Sequence, residues 1–273
     1  MRRLGIRPSR KLGQNFLTDP KFLQWLAQLI NPQPAELLVE IGAGTGNLTD
    51  LLVSSAPQII AIEYDARLAS FLRTKYKNIP TITLLQADAA RIDYDELTKG
   101  VPYRCVGNLP YSSSSVMIAT ILESANKPRS MYLMLQKEMA ERLNARPACK
   151  SYGSLSVRIQ SLYDIKLLRH IPPVLFWPVP KVESILVSLK LKATRPDTEL
   201  YKDLSRFVRV SFSHRRKKVI SNLRTVFDKP ILTPIFQKLN ICELARPEEL
   251  TPEQYVAITR WYQQVNHEIH EVD

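Results

Sequence analysis

The sequence predicts an α/β fold with a parallel sheet, followed by a small all-helical domain, and three observations predict it. Short, almost wholly apolar runs recur at near-regular intervals; segments with helical apolar spacing separate them; and the pattern turns entirely helical after the polar, proline-containing stretch Ala193–Glu199. Strands alternating with helix-length segments make βαβ units, whose strands run parallel and are covered on both faces. The change of pattern divides the chain into one domain over 1–193 and a helical one over 194–273.

Each element has its own signal. Thr18-Asp19-Pro20 supplies a helix cap and a proline at the first helical position. Phe22, Leu23, Leu26, Leu29 and Ile30 then mark one apolar helix face. The strand-like runs are Leu37–Gly42, Ile59–Tyr64, Ile82–Asp88, Tyr103–Leu109 and Met131–Gln136. Two further runs, Asp164–Ile171 and Glu183–Leu191, flank a proline-rigid segment and are expected as an antiparallel pair at one sheet edge. Beyond the boundary, Leu204, Phe207, Phe212, Val219, Leu223 and Phe227 mark helical faces, and a last helix follows Thr251-Pro252.

Composition narrows the function. The chain has 273 residues, 45% of them hydrophobic, enough for a sizeable core. Its 38 basic against 26 acidic side chains leave a net charge of +12, which favours a polyanionic partner. Cys105, Cys149 and Cys242 are scattered and include no CxxC, which speaks against a disulfide framework or a structural zinc and for a reducing cytoplasm. The basic N-terminus has no apolar run behind it, and no stretch is long enough for a membrane helix. His267 and His270 lack an HExxH pattern, so no metal site is expected.

Four motifs carry chemistry. In Glu40–Thr49 (EIGAGTGNLT), Gly42, Gly44 and Gly46 take three of the eight glycines into one turn. Such a turn lets the backbone pass close to a ligand, and a helix opening there offers free N–H groups to an anion. Asn47 stands where a nicotinamide-binding turn needs its last glycine, so the spacing fits instead the GxGxG turn of S-adenosylmethionine-dependent methyltransferases. Glu63, 21 residues after Gly42, ends the next strand and is suited to accept from both ribose hydroxyls. Asp88, with Ala89 beside it, ends the third strand and is the candidate for the cofactor's adenine, although a helix cap is an equal reading of the acid.

Asn108-Leu109-Pro110-Tyr111 ends the fourth strand. The N6 amine of adenine is a poor nucleophile because its lone pair is delocalised into the ring. The Asn108 side-chain carbonyl and the Leu109 backbone carbonyl are placed to accept its two hydrogens and concentrate that lone pair. Pro110 fixes the backbone, and Tyr111 offers a face for the base to stack on.

These residues resemble the KsgA/RsmA family of small-subunit rRNA adenine dimethyltransferases over nearly the whole chain. Gly13–Leu17 (GQNFL) is similar to the family's N-terminal cofactor element, which implies cofactor contacts for Asn15 and Leu17. Asn108 is implied on the cofactor side as well. Phe176–Ser184 resembles the family's FxPxPKVxS element, which implies Phe176 as a second aromatic wall against the target base. A core aromatic in a rigid loop is an equal reading of that residue. Ser211–Leu223 (SFSHRRKKVISNL) is also similar. Arg215, Arg216, Lys217 and Lys218 are expected at four consecutive helical positions and, with Arg7, Arg10 and Lys11, as an RNA-facing surface.

The resemblance implies a Rossmann-like methyltransferase domain with S-adenosyl-L-methionine as cofactor; composition places the enzyme in the cytoplasm, and a monomer is expected because nothing in the sequence demands more than one copy. Its partner would be small-subunit (16S) rRNA within an immature 30S particle. The expected product is dimethylation of two adjacent adenines in the 3′-terminal hairpin loop. The alternatives are a macrolide-resistance methylase of large-subunit rRNA and a non-catalytic assembly or transcription factor on the same fold. NLPY rather than NIPY, and the intact glycine turn and Asn108, weigh for the first reading.

Overall fold

The computed structural model describes residues 8–9, 12–33, 36–227 and 229–270, and within 229–231 and 266–270 the backbone alone. The chain forms two compact units. The first runs to Ala140 and adds Ile165–Leu191. It contains β1 (Phe16–Leu17), α1 (Pro20–Ile30), β2 (Leu37–Ile41), α2 (Thr49–Leu52), β3 (Gln58–Glu63), α3 (Ala66–Lys75), β4 (Ile82–Gln86), α4 (Tyr94–Thr98), β5 (Tyr103–Asn108), α5 (Ser114–Glu123) and β6 (Ser130–Gln136). The helix α6 (Lys137–Leu143) crosses out of this unit, β7 (Tyr163–Ile171) crosses back, and β8 (Phe176–Trp177) and β9 (Ser184–Leu191) complete it.

Seven strands form one sheet in the order β4-β3-β2-β5-β6-β9-β7. From β4 to β6 the neighbours are parallel; β9 then runs antiparallel to β6, with Gln136 opposite Ser184. Val39 has Ile60 on one side and Cys105 on the other, and all five residues of β2 are buried. A strand covered on both faces has no polar side to alternate, which is why LLVEI reads as a continuous run. The order also fixes where a ligand goes. The chain builds outward from β2 to β4, then returns to place β5 on the other side of β2, and this reversal opens a crevice at the strands' carboxyl ends.

The helix α1 shows which local force matters. The Asp19 carboxylate accepts from the Phe22 N–H at 2.6 Å and Pro20 opens the helix, as expected. The cap stabilises by about 1 kcal/mol. Burial of Phe22, Leu23, Leu26 and Ile30 gives about 1.5–3 kcal/mol for each side chain, so the apolar face decides the docking.

The second unit comprises Glu141–Asp164 and the chain from Lys192 on. It contains α7 (Ser154–Gln160), α8 (Thr198–Ser211), α9 (Val219–Leu223), α10 (Lys229–Lys238) and α11 (Pro252–His270). The single boundary expected after residue 193 is therefore corrected, because 141–164 packs with the helices. The Tyr152 hydroxyl donates to the Leu250 carbonyl at 3.0 Å, the Ala148 N–H to the Glu248 carbonyl at 2.7 Å, and the Lys192 N–H to the Leu162 carbonyl at 2.9 Å. Phe207 and Phe227 stack at 3.7 Å, with the Tyr262 ring edge-on to both.

A second correction concerns the basic run. Arg215–Lys218 is not helical; it is an exposed turn between α8 with its short 3₁₀ extension (Phe212–His214) and α9. The Asn222 side-chain amide donates to the carbonyls of Ser211 at 2.7 Å and His214 at 3.0 Å. The Lys217 N–H turns back to the His214 carbonyl as well, at 2.9 Å, so these carbonyls are satisfied without further α-helical donors and the helix stops. Among the described residues no helix is long and apolar enough to cross a membrane.

Candidate active site

The carboxyl ends of β2, β3, β4 and β5 border a cavity of about 290 Å³. The glycine turn follows β2, and Gly42, Gly44 and Gly46 all take positive φ there (75°, 60° and 77°). Their N–H groups are engaged within the protein. Gly42 donates to the Ile62 carbonyl at 2.9 Å, Gly46 to the Ala43 carbonyl at 2.8 Å, and Gly44 to Glu63 Oε2 at 2.8 Å. The helix behind the turn, α2, is a single turn. Free glycine N–H groups at a helix start, expected from the sequence, are thus not what the turn offers.

What it offers is close approach. Gly42 and Gly44 form cavity wall, and a Cβ on Gly44 would stand 3.0 Å from the Phe16 ring. Gly46 is not on that wall. A Cβ there would run into the Tyr76 hydroxyl, which donates to the Gly46 carbonyl at 3.1 Å, so this glycine serves the packing of the chain end of α3 against the turn.

Glu63 closes β3 and is buried on the wall. Burial raises its carboxyl above the ordinary range; the N–H groups of Asp65 (2.8 Å to Oε1) and Gly44 pull it back. Asp88 and Ala89 follow β4 onto the wall, with Asp88 Oδ1 accepting from the Ala90 N–H at 3.0 Å. Asn108, Leu109, Pro110 and Tyr111 line the cavity from the end of β5. The Asn108 Nδ2 donates to the Asn15 carbonyl at 2.6 Å. Tyr111 is half-buried, which raises its phenol, and its hydroxyl lies 2.7 Å from Ser184 Oγ.

Asn15 is on the same wall, whereas Leu17 borders a smaller adjoining cavity of about 40 Å³ that Asn108, Gly42 and Gly44 also reach. Phe176 is on neither wall. It is 2% exposed and packs in the core with Leu17 and Phe22, so the structure places it as the core aromatic of a rigid loop. Arg7, Arg10 and Lys11 lie outside the described residues. Arg215 donates from Nη2 to the Cys149 carbonyl at 3.3 Å and lies 3.6 Å from Glu248, while Arg216, Lys217 and Lys218 extend from the turn into solvent.

Several wall residues escaped the sequence reading: Gln14, Ile62, Tyr64, Leu68 and Met117. Tyr64 is 58% exposed and directly follows the buried Glu63, an aromatic placed for a nucleobase to stack on. Its adjacency to that acid is the signal that could have found it. An adenosine-bearing cofactor fits these walls. A buried carboxylate held by two N–H donors suits a ribose, and Ile41, Ile62 and Leu68 supply apolar faces. No group of three or more metal-ligating side chains occurs among the described residues.

This sheet, with a glycine turn and an acid at its strand switch, defines a Rossmann-like methyltransferase fold. The ribosomal RNA adenine dimethylase profile matches residues 6–264, and the chain belongs to that family. Its members use S-adenosylmethionine. A protein named ribosomal RNA small subunit methyltransferase A from Vibrio atlanticus is 35% identical over 272 residues, covering 99% of this chain and 97% of its own. One of the same name from Picosynechococcus sp. is 32% identical over 264 residues, with 93% and 97% covered. Among solved structures, a dimethyladenosine transferase from Plasmodium falciparum superposes with a TM-score of 0.76 at 22% identity, covering 91% of this chain and 98% of its own. The 23S rRNA methyltransferase ErmE gives 0.68 at 23%, with 91% and 100% covered. Both share this fold.

Proposed function

We propose that this chain dimethylates the N6 amines of two adjacent adenines in the 3′-terminal hairpin loop of small-subunit rRNA, during assembly of the small ribosomal subunit. The observation that carries the reading is the Asn108 amide. Its Nδ2 is committed to the Asn15 carbonyl, so the side chain's acceptor, Oδ1, is left for the cavity. An acceptor is what an adenine amine needs, since it has only hydrogens to give.

Asn108 Oδ1 and the Leu109 carbonyl take those hydrogens, drawing the nitrogen towards tetrahedral geometry. Pro110 holds the two acceptors in place before the base arrives, so little reorganisation is left for the reaction. Tyr111 supplies the stacking face, its ring steadied through Ser184. Glu63 holds the ribose of the cofactor, and Asp88 and Ala89 border its adenine. Bound S-adenosylmethionine supplies the methyl on a sulfonium that departs as a neutral thioether, so no strong base is required of the protein. After the first methyl one N–H remains, and one acceptor suffices to present it for the second.

The exposed run Arg215–Lys218 sets RNA affinity rather than base choice. Relatives named for the small ribosomal subunit, at 32–36% identity, support this substrate over a large-subunit one. Transfer of labelled methyl to immature small subunits, mature small subunits and large subunits tests the proposal. Label as N6,N6-dimethyladenosine on immature small subunits is expected; label on large subunits would move the substrate to the resistance type, and no label on any RNA would overturn the reading.

A further inference from the structure

The segment Gly13–Leu17 crosses the carboxyl edge of the sheet, and its own ladder is a weak anchor. β1 pairs with β8 through two residues only, Phe16 with Trp177 and Leu17 with Phe176. A ladder that short is marginal by itself. Further anchors add to it: the Thr18 N–H donates to the Leu175 carbonyl at 2.9 Å, Phe16 and Leu17 are buried, Asn47 Nδ2 donates to the Leu17 carbonyl at 2.9 Å, and the Gln14 amide works at both ends. Gln14 Oε1 accepts from the Ser9 N–H at 2.7 Å, and Gln14 Nε2 donates to Asp65 Oδ2 at 3.0 Å.

Asp65 is a firm anchor point. It is buried, it caps α3 through the Arg67 N–H, and the Arg67 guanidinium holds its carboxyl well below the usual range against the cost of burial. Its own N–H donates to Glu63. Gln14 therefore ties the crossing segment to the loop that follows the ribose acid Glu63.

The residue next to Gln14 is Asn15, whose carbonyl receives the Asn108 amide. An asparagine amide has two ends of nearly equal size, and the wrong end would face the target amine with another donor. A backbone carbonyl only accepts, so it selects the orientation in which Asn108 Nδ2 faces it and Oδ1 is left for the base.

The geometry points to Gln14 as a positioning residue for methyl transfer: by latching 13–17 to Asp65 it holds the Asn15 carbonyl that orients the Asn108 amide. The latch rests on the reading of Asn108 given above. It adds a wall residue whose amide is committed to Ser9 and Asp65, and it couples the placement of 13–17 to assembly of the acceptor pair.

Charge reversal across the latch tests it. Gln14→Glu sets two carboxylates against each other, whereas Gln14→Glu with Asp65→Asn restores one donor and one acceptor, keeps an oxygen for the α3 cap, and leaves a carboxylate, now on residue 14, for the Arg67 guanidinium that shares Asp65 Oδ2 with Gln14. Amide hydrogen exchange of the free protein over 13–17 reads the latch without any ligand, and kcat at saturating cofactor and RNA reads its consequence. At about pH 8 the single variant is expected to exchange about tenfold faster and to lose about tenfold in kcat, with the KM for RNA little changed. The double variant should recover most of both. Unchanged exchange in Gln14→Glu, faster exchange with wild-type kcat, or a double variant no better than the single one would overturn the latch. Absence of transfer by the wild-type chain would instead overturn the reading of Asn108 itself.

Discussion

Glu40 and Glu63 stand on neighbouring parallel strands, and burial raises the carboxyls of both, yet they do different work. Glu63 reaches the cavity wall and is partly compensated by two backbone N–H groups. Glu40 is buried behind the glycine turn, accepts from the Thr49 hydroxyl at 2.6 Å, and is pushed up to about 7, chiefly by desolvation. A carboxyl raised on folding stabilises the protein fully below its unfolded value, near 4.5, and loses that contribution as pH climbs through about 7. Ionising Glu40 in the fold therefore costs up to about 3 kcal/mol more than in the unfolded chain. Glu40→Gln keeps an acceptor for Thr49 and removes the ionisation. Urea melts of both proteins should show the stability difference shifting towards the Gln variant by up to about 3 kcal/mol between about pH 5 and pH 8. A difference constant over that range would contradict the assignment.

At the same scale, motif residues were legible where the spacing leaves one geometry. Gly42, Gly44, Glu63, Asp88, Ala89 and Asn108 stand at successive strand ends, and parallel strands bring those ends to one edge. Gly46, in the glycine turn, and Phe176, in the proline-rich segment, serve packing instead, because their neighbours Tyr76 and Leu17 are set by tertiary contacts that spacing does not reveal. The latch between Gln14 and Asp65 was invisible for the same reason, its ends lying 51 positions apart.

Elements whose burial is uniform were readable, and those shaped by one polar side chain were not. The runs over β2, β3 and β5 are almost continuously buried, and their strands fall within a residue or two of the expected spans. The basic run was expected as helix because its flanks, Phe212 and Val219, keep helical spacing. A single side chain, Asn222, ends the helix instead by taking the carbonyls of Ser211 and His214. A turn displays Arg216, Lys217 and Lys218 more freely than a helix packed on its neighbours would. Arg216→Glu with Lys217→Glu should weaken RNA binding and reduce the steepness of its salt dependence by roughly two phosphate contacts, leaving cofactor affinity unchanged. Binding isotherms over a series of salt concentrations check this; an unchanged slope would remove the turn from the RNA surface.

At the scale of the molecule, the chain passes between its two units three times, after Ala140, Asp164 and Leu191. Only the last passage left a mark in composition, the polar stretch beginning at Ala193; the first two occur inside elements, α6 and β7, where no polar, proline-containing stretch interrupts the chain. The surplus of +12 charges and the cavity at the strand switch fit one task, holding a polyanion while a nucleoside cofactor meets a single base. The central claim is that Asn108 makes the amine of that base reactive. Single-turnover transfer of labelled methyl to immature small subunits by wild type and Asn108→Ala, with cofactor affinity measured alongside by calorimetry, tests it most directly. The account predicts N6,N6-dimethyladenosine from the wild type, and from the variant a rate lower by about a hundredfold or more with cofactor affinity largely kept. Wild-type turnover in Asn108→Ala would contradict it.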